Sequence, residues 1–184
     1  MTPYDAIVLA GGAASRFGTD KMRVAVGGVP VLERVLAAVN TAENRFIVGP
    51  ERPLADDAGV CWLREEPPGS GPANGIACAA SHLSADVAVI LAGDLPYVDA
   101  VTVRRLLDAA EAGAGAVLHD GAGRPQWLTA AVRSTALLDR VRALDSWANT
   151  SMHELFDPLG LVGVPARGDE SHDIDTPEDI PSEP

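Results

Sequence analysis

The sequence is sparing in several features, and each scarcity excludes something. It has two cysteines in 184 residues, Cys61 and Cys78, both among apolar neighbours. Two cysteines make no disulfide framework, so buried free thiols are expected. Basic residues number 14 against 26 acidic ones, for a net charge of -12. A nucleic-acid binder needs a broad basic face, so no nucleic-acid partner is expected. A small anion stays open, because one or two local cations, a metal ion and backbone N–H groups can hold phosphate in an acidic protein. No apolar run approaches the roughly 18 residues of a membrane span. The chain opens directly on a strand pattern with no secretory n-region and h-region, so a soluble, cytoplasmic protein without a membrane partner is expected. The four histidines, His82, His119, His153 and His172, lack zinc spacing and read as surface or capping residues. Ser15 and Ser151 have no visible histidine–carboxylate context, which leaves hydrolase chemistry without support.

What is present is an alternation of strand and helix patterns. Asp5–Gly12 reads as a buried strand ending at a turn, Pro30–Ala42 as a helix, and Arg45–Gly49 and Gly59–Glu65 as strands. Glu66–Gly75 is rich in glycine and proline and reads as a long turn before a helix at Ile76–Leu83. Asp86–Asp94 is apolar on both faces and reads as a central parallel strand. A helix over Val101–Gly113, strands at Ala114–Asp120 and Pro125–Val132, a helix over Ser134–Leu144, a short helix over Ser151–Leu159, a strand at Leu161–Ala166 and a last helix from Asp175 complete the pattern. Such alternation predicts an α/β fold with a mainly parallel sheet. No repeat, low-complexity linker or boundary interrupts it, so residues 1–184 read as one domain.

Ligands of parallel sheets sit beyond the carboxyl ends of the strands. Three stretches fall there. The first is Gly11–Lys21, where paired glycines let a ligand approach the backbone and Arg16 and Lys21 add positive charge. It has neither P-loop nor G-x-G-x-x-G spacing. It is either a phosphate site or a glycine turn with two solvated cations. The second is Asp94, a magnesium ligand or the cap of the following turn. The third is Asp173 and Asp175, two apart and so on one side of an extended chain, which can reach one metal or cap a helix.

Together these stretches resemble the nucleotidyltransferases of the molybdenum cofactor guanylyltransferase (MobA-like) family. Leu9–Gly12 followed by Arg16, Gly18, Asp20 and Lys21 falls on that family's opening motif. Gly71–Ile76 resembles its Gly-Pro-Leu-Ala-Gly-Ile loop, Ala92–Pro96 its metal-aspartate motif, and Asp173–Asp179 its Asn-x-Asn-Thr-Pro-Glu-Asp motif. The segment from Arg124 to Leu137 resembles the part around its Gln-Pro-Leu strand, with Trp127 in place of the proline.

The resemblance implies a three-layer α/β/α sandwich of Rossmann-like nucleotidyltransferase type. It implies magnesium-dependent transfer of GMP from GTP to molybdopterin, with pyrophosphate leaving. In that reading Asp94, Asp175 and Asp173 hold the metal. Lys21 and Arg16 hold the phosphates. Leu9, Ala10, Gly11 and Gly12 cradle base and sugar. Asn74 and Gly75 close on guanine, with Asn74 as a hydrogen-bonding reader. Gln126 and Trp127 either line the acceptor site or face the core. A monomer or weak homo-oligomer is expected. Departures exist. Phe17 stands for methionine, and Asp173 and Asp175 stand for asparagines, as in the cytidylyltransferase relatives. Gly11, where those relatives carry alanine, leaves room for a purine edge and favours GTP. A non-catalytic nucleotide-binding module has less need of the metal carboxylates. A dinucleotide oxidoreductase is disfavoured by the glycine spacing.

Overall fold

The computed structural model describes residues 2–11 and 20–174. Strand β1 (Tyr4–Leu9) is buried at every position. After it come a 3-10 turn at Lys21–Arg23 and a small hairpin, β2 (Ala25–Val26) and β3 (Val29–Pro30). Gly27 and Gly28, both at positive φ, make the hairpin turn. Helix α1 (Val31–Ala38) buries Val31, Leu32, Val35 and Leu36 on one stripe. Strands β4 (Arg45–Val48) and β5 (Val60–Leu63) follow, then α2 (Pro72–Ala80) and β6 (Val87–Ala92). Helix α3 (Ala100–Ala110) starts where Asp99 accepts from the N–H groups of Val101 and Thr102, at 2.9 and 2.8 Å. Strands β7 (Gly115–His119) and β8 (Pro125–Arg133), helices α4 (Ser134–Val141) and α5 (Met152–Phe156), and strand β9 (Val162–Pro165) complete the described chain.

The main sheet has the order β5-β4-β1-β6-β8-β7-β9. Every neighbouring pair is parallel except the two that involve β8, which is antiparallel to both β6 and β7. One strand is therefore reversed among six that run together. Side chains alternate between two cores. Ala6 and Val8 of β1 meet Leu32, Val35, Leu106 and Leu107 of α1 and α3. Ile7 and Leu9 meet Ile76 of α2, Leu137 of α4 and Phe156 of α5 on the other face. This is the three-layer sandwich.

Three expectations change. The strand at Asp86–Asp94 is central, but it is parallel only to β1 and antiparallel to β8. Its apolar run reports cover on both faces, which is indifferent to the direction of a neighbour. Helix α2 begins at Pro72, inside the stretch read as a turn. Proline is favoured in a first helical turn, and a glycine stands at position 75 inside the helix where Leu9 and Val48 crowd the place of a Cβ, at 3.3 and 3.4 Å. The cysteines are not buried: Cys61 lies exposed on edge strand β5, and Cys78 is half-buried on α2. The helix expected from Asp175 lies outside the described residues.

Candidate active site

A cavity of about 730 Å³ opens at the carboxyl ends of β1 and β6. Leu9, Gly11, Lys21, Gly75, Asp94 and Asp173 all line it, so the structure gathers six of the expected site residues into one place. Gly12, Arg16 and Asp175 lie outside the described residues.

Lys21 is held by local structure. Asp20 caps its 3-10 turn, accepting from the Met22 N–H at 3.3 Å, and Met22 anchors the turn in the core. The Lys21 ammonium forms an ion pair with Asp94, which is buried just beyond the end of β6. A cation and a carboxylate meet on the cavity wall at the end of an apolar strand, where charge is weakly screened.

Two further side chains organise this wall, and the sequence reading missed both. Arg52 grips Asp20 with Nε and Nη2, at 2.5 and 3.1 Å, while its Nη1 donates to the carbonyls of Ala10 and Pro50 at 2.9 and 2.7 Å. One guanidinium thus ties residue 10, at the end of β1, to residue 20, beside Lys21. The Arg52 hydrogen bond is the largest of the influences that hold the Asp20 carboxyl below its ordinary range. A lone arginine in a loop carries no sequence signal for this. Glu65, after β5, lines the cavity and is 7% exposed. Its Oε1 accepts from the Gly69 N–H at 2.8 Å, whereas Oε2 is buried with no hydrogen-bond partner among the described residues. An acidic residue at a strand end facing a glycine-rich loop was the available signal for it.

Asp173 is exposed on the segment after β9, and two anchors flank it. On one side Ile174 is fully buried with Val26 and Val31, and its N–H donates to the Asp94 carbonyl at 3.1 Å. On the other side Glu170 accepts from Thr102 Oγ1 at 2.8 Å, from Arg105 Nη1 at 2.7 and 2.8 Å, and from the Arg167 N–H at 2.7 Å. Burial pushes the Glu170 carboxyl up, but these donors outweigh it and hold the group below its usual range. The helix after Asp94 therefore also carries the clamp for the segment that bears Asp173.

Two residues expected near the ligand also have partners within the protein. Asn74 is not on the cavity wall; its Nδ2 donates to the Glu66 carbonyl and Ser70 Oγ, at 3.0 and 2.7 Å, bracing the loop before α2. Ala10 is fully buried, with its N–H given to the Val48 carbonyl. Close by, Gly49 sits at φ +150°, and a Cβ there would lie 2.7 Å from the Ala10 carbonyl carbon. Trp127 and Gln126 both reach the cavity from the start of β8. The histidines are exposed or half-buried, and His172 meets the Tyr97 ring edge-on at 6.2 Å.

No three or more His, Cys, Asp or Glu side chains gather into a metal cluster among the described residues. Magnesium asks less of a protein than that, usually one or two carboxylates plus substrate phosphates and water. Asp94 and Asp173, both lining the cavity, fit that donor set in kind. No helix of the described residues is long and apolar enough to cross a membrane.

Known proteins place this architecture. The chain is similar to the probable molybdenum cofactor guanylyltransferase of Deinococcus radiodurans, with 35% identity over 146 residues, 78% of this chain and 74% of that protein. It is similar to the molybdenum cofactor guanylyltransferase of Rhodobacter capsulatus, with 33% identity over 181 residues, 95% of this chain and 91% of that one. The crystal structure of molybdopterin-guanine dinucleotide biosynthesis protein A from Archaeoglobus fulgidus shares the fold, with a TM-score of 0.73 at 23% identity over 96% of this chain and 94% of that chain. The profile of the MobA-like NTP transferase domain matches residues 6–160, from inside β1 to beyond α5. The chain belongs to the MobA-like NTP transferase family.

Proposed function

We propose that this chain, as a single domain of residues 1–184, transfers GMP from GTP to molybdopterin. A phosphate oxygen of molybdopterin attacks the α-phosphorus of GTP, the bond to the β-phosphate oxygen breaks, and pyrophosphate leaves. The observation that carries the reading is the Lys21–Asp94 pair on the wall of a nucleotide-sized cavity, in a chain of this family. Phosphoryl transfer asks for positioning and charge stabilisation more than for a covalent protein group.

Each side chain has a part. Lys21 leaves Asp94 for the triphosphate and stabilises charge developing on pyrophosphate, with Arg16 assisting. Asp94 so released, with Asp173 and Asp175, would hold magnesium. When bound, magnesium neutralises phosphate charge and aligns the reacting oxygens. Leu9, Gly11 and Gly12 pack against base and sugar, and Gly75 keeps the wall open beside them. Glu65 supports guanine, whose ring N–H and amino group are two adjacent donors suited to a carboxylate. The carboxylates Asp173 and Asp175 in place of asparagines favour CTP as the second reading.

Calorimetric titration with GTP, CTP and ATP, each with and without magnesium, tests the assignment. GTP is expected to bind selectively and more tightly with the metal. Asp94→Ala should keep the fold, lose the magnesium-dependent part of binding, and abolish transfer. CTP preference moves the chain to the second reading, and wild-type turnover by Asp94→Ala removes the metal assignment.

A further inference from the structure

The cavity has two unlike walls on either side of β6. Toward β1, β4 and β5 it is built from small, backbone-rich residues such as Gly11, Gly69, Gly71 and Gly75. Toward β8 it is built from Trp127, Leu128 and Met152. The reversed strand explains the second wall. Because β8 runs against its neighbours, its first residues reach the rim where the other strands end.

The register there is irregular. Val117 of β7 faces Ala130 of β8, but the next residue, Leu118, faces Gln126. Trp127, Leu128 and Thr129 are left with no partner on β7. A bulge of this kind forfeits ladder hydrogen bonds and re-aims side chains, and bulges concentrate beside active sites. Trp127 is half-buried and stands on the cavity wall. The Phe156 ring braces it at 6.1 Å between centroids with a 36° tilt, and His153 meets it edge-on at 6.1 Å. Phe156 is fully buried, so the support is rigid. Met152, adaptable and polarisable, lines the same wall. A tryptophan re-aimed by a bulge, backed by a buried ring and left partly open to a cavity has the make-up of a stacking platform.

We propose that Trp127 is the platform on which the second substrate stacks a flat, fused nitrogen heterocycle of the pterin class. This rests on the transferase reading for the position of the first substrate. With base and sugar on the glycine wall and the phosphates at Lys21 and Asp94, the attacking molecule enters over β8. Aromatic stacking tolerates many rings, so Trp127 supplies affinity while neighbouring polar groups set orientation. Gln126 is one such group: its Nε2 is committed to Asp120 at 3.1 Å, which turns its carbonyl into the remaining acceptor.

The test uses the full chain and two variants, Trp127→Leu and Trp127→Phe, with 6-hydroxymethylpterin and GTP–magnesium as calorimetric probes. Trp127→Leu is expected to weaken pterin binding roughly five- to hundredfold, with Trp127→Phe recovering most of it. GTP affinity should stay within about twofold, because its contacts lie elsewhere. Thermal melts confirm that both variants fold, and if the leucine variant does not, Trp127→Met, which fills more of the space without a ring, carries the same expectation. Equal pterin affinity across the three proteins overturns the platform. So does a wild-type protein that binds GTP and no pterin, or a loss of GTP affinity that matches the loss for pterin. Pterin binding that depends on Trp127 without any GTP binding keeps the platform and removes the transferase reading.

Discussion

Arg52 touches no part of the expected substrate, yet its removal should cripple the site. In Arg52→Ala the buried Ala10 carbonyl loses its guanidinium donor, which costs about 1–3 kcal/mol. The ion pair with Asp20, whose side chain is 35% exposed, adds about 1 kcal/mol or less. Together that is about 1–4 kcal/mol, or a melting temperature lower by roughly 2–16 °C for a chain of this size. The effect on rate should be larger. Asp20 no longer has its anchor, Lys21 is the next residue, and a displacement of about 1 Å in such a group costs roughly a hundredfold. Initial rates of pyrophosphate release against GTP concentration, with thermal melts in parallel, separate the two effects. Arg52→Ala should lose about a hundredfold in kcat/KM while remaining folded at the assay temperature. Arg52→Lys should fall between, since an ammonium cannot fork across both Asp20 oxygens. The pH dependence has a fixed sign. The Asp20 carboxyl is held below its ordinary range, so its contribution is complete above the ordinary carboxylate pKa and fades as pH falls through the lowered one. The gap in stability between wild type and Arg52→Ala should therefore narrow in acid. An Arg52→Ala enzyme with wild-type kcat/KM would refute the reasoning.

Two other contacts give equally definite expectations. Asp5 is fully buried and accepts from Asn44 Nδ2, the Ser84 N–H and the Ala85 N–H at 2.7, 2.6 and 2.9 Å. Burial pushes its carboxyl up, but those donors outweigh it and lower the pKa, so its stabilisation is complete above the ordinary carboxylate range and is lost as pH falls through the folded value. Asp5→Ala leaves these donors without their acceptor and should cost at least about 1–3 kcal/mol in urea unfolding at neutral pH and less in acid; a cost that does not shrink in acid contradicts the assignment. Glu170→Ala should raise the magnesium concentration needed for half-maximal rate by roughly tenfold, with Glu170→Gln milder, while GTP binding without metal stays unchanged. Unchanged magnesium dependence would mean that the clamp does not place Asp173.

The layers were legible because their signals are periodic. The alternation of Ala6 and Val8 against Ile7 and Leu9 needed only a two-sided sheet to explain it. The convergence of Lys21 and Asp94 was legible because both fall just past strand patterns, and parallel strands bring their ends together. Where legibility failed, the deciding contact was far away in sequence. Arg52 matters because β4 lies beside β1, which brings residues 10, 20 and 52 to one guanidinium. Glu170 matters because β9 and α3 meet. The exposure of Cys61 depends on β5 being an edge, which no local pattern of four residues can state. The Gly27–Gly28 hairpin was a readable turn signal whose strands, two residues each, were too short to show alternation.

The reversal of β8 has a consequence for how this architecture changes over time. The glycine wall, Lys21 and Asp94 are all encoded before residue 95, whereas Trp127, Met152 and their supports come after residue 124. Under the proposed function the donor and the acceptor are thus read by successive stretches of one polypeptide. Drift in the later stretch can retune what receives the nucleotide and leave the earlier stretch's hold on the triphosphate intact. A graft of residues 120–160 from a relative with another acceptor is the smallest exchange that would carry that preference across.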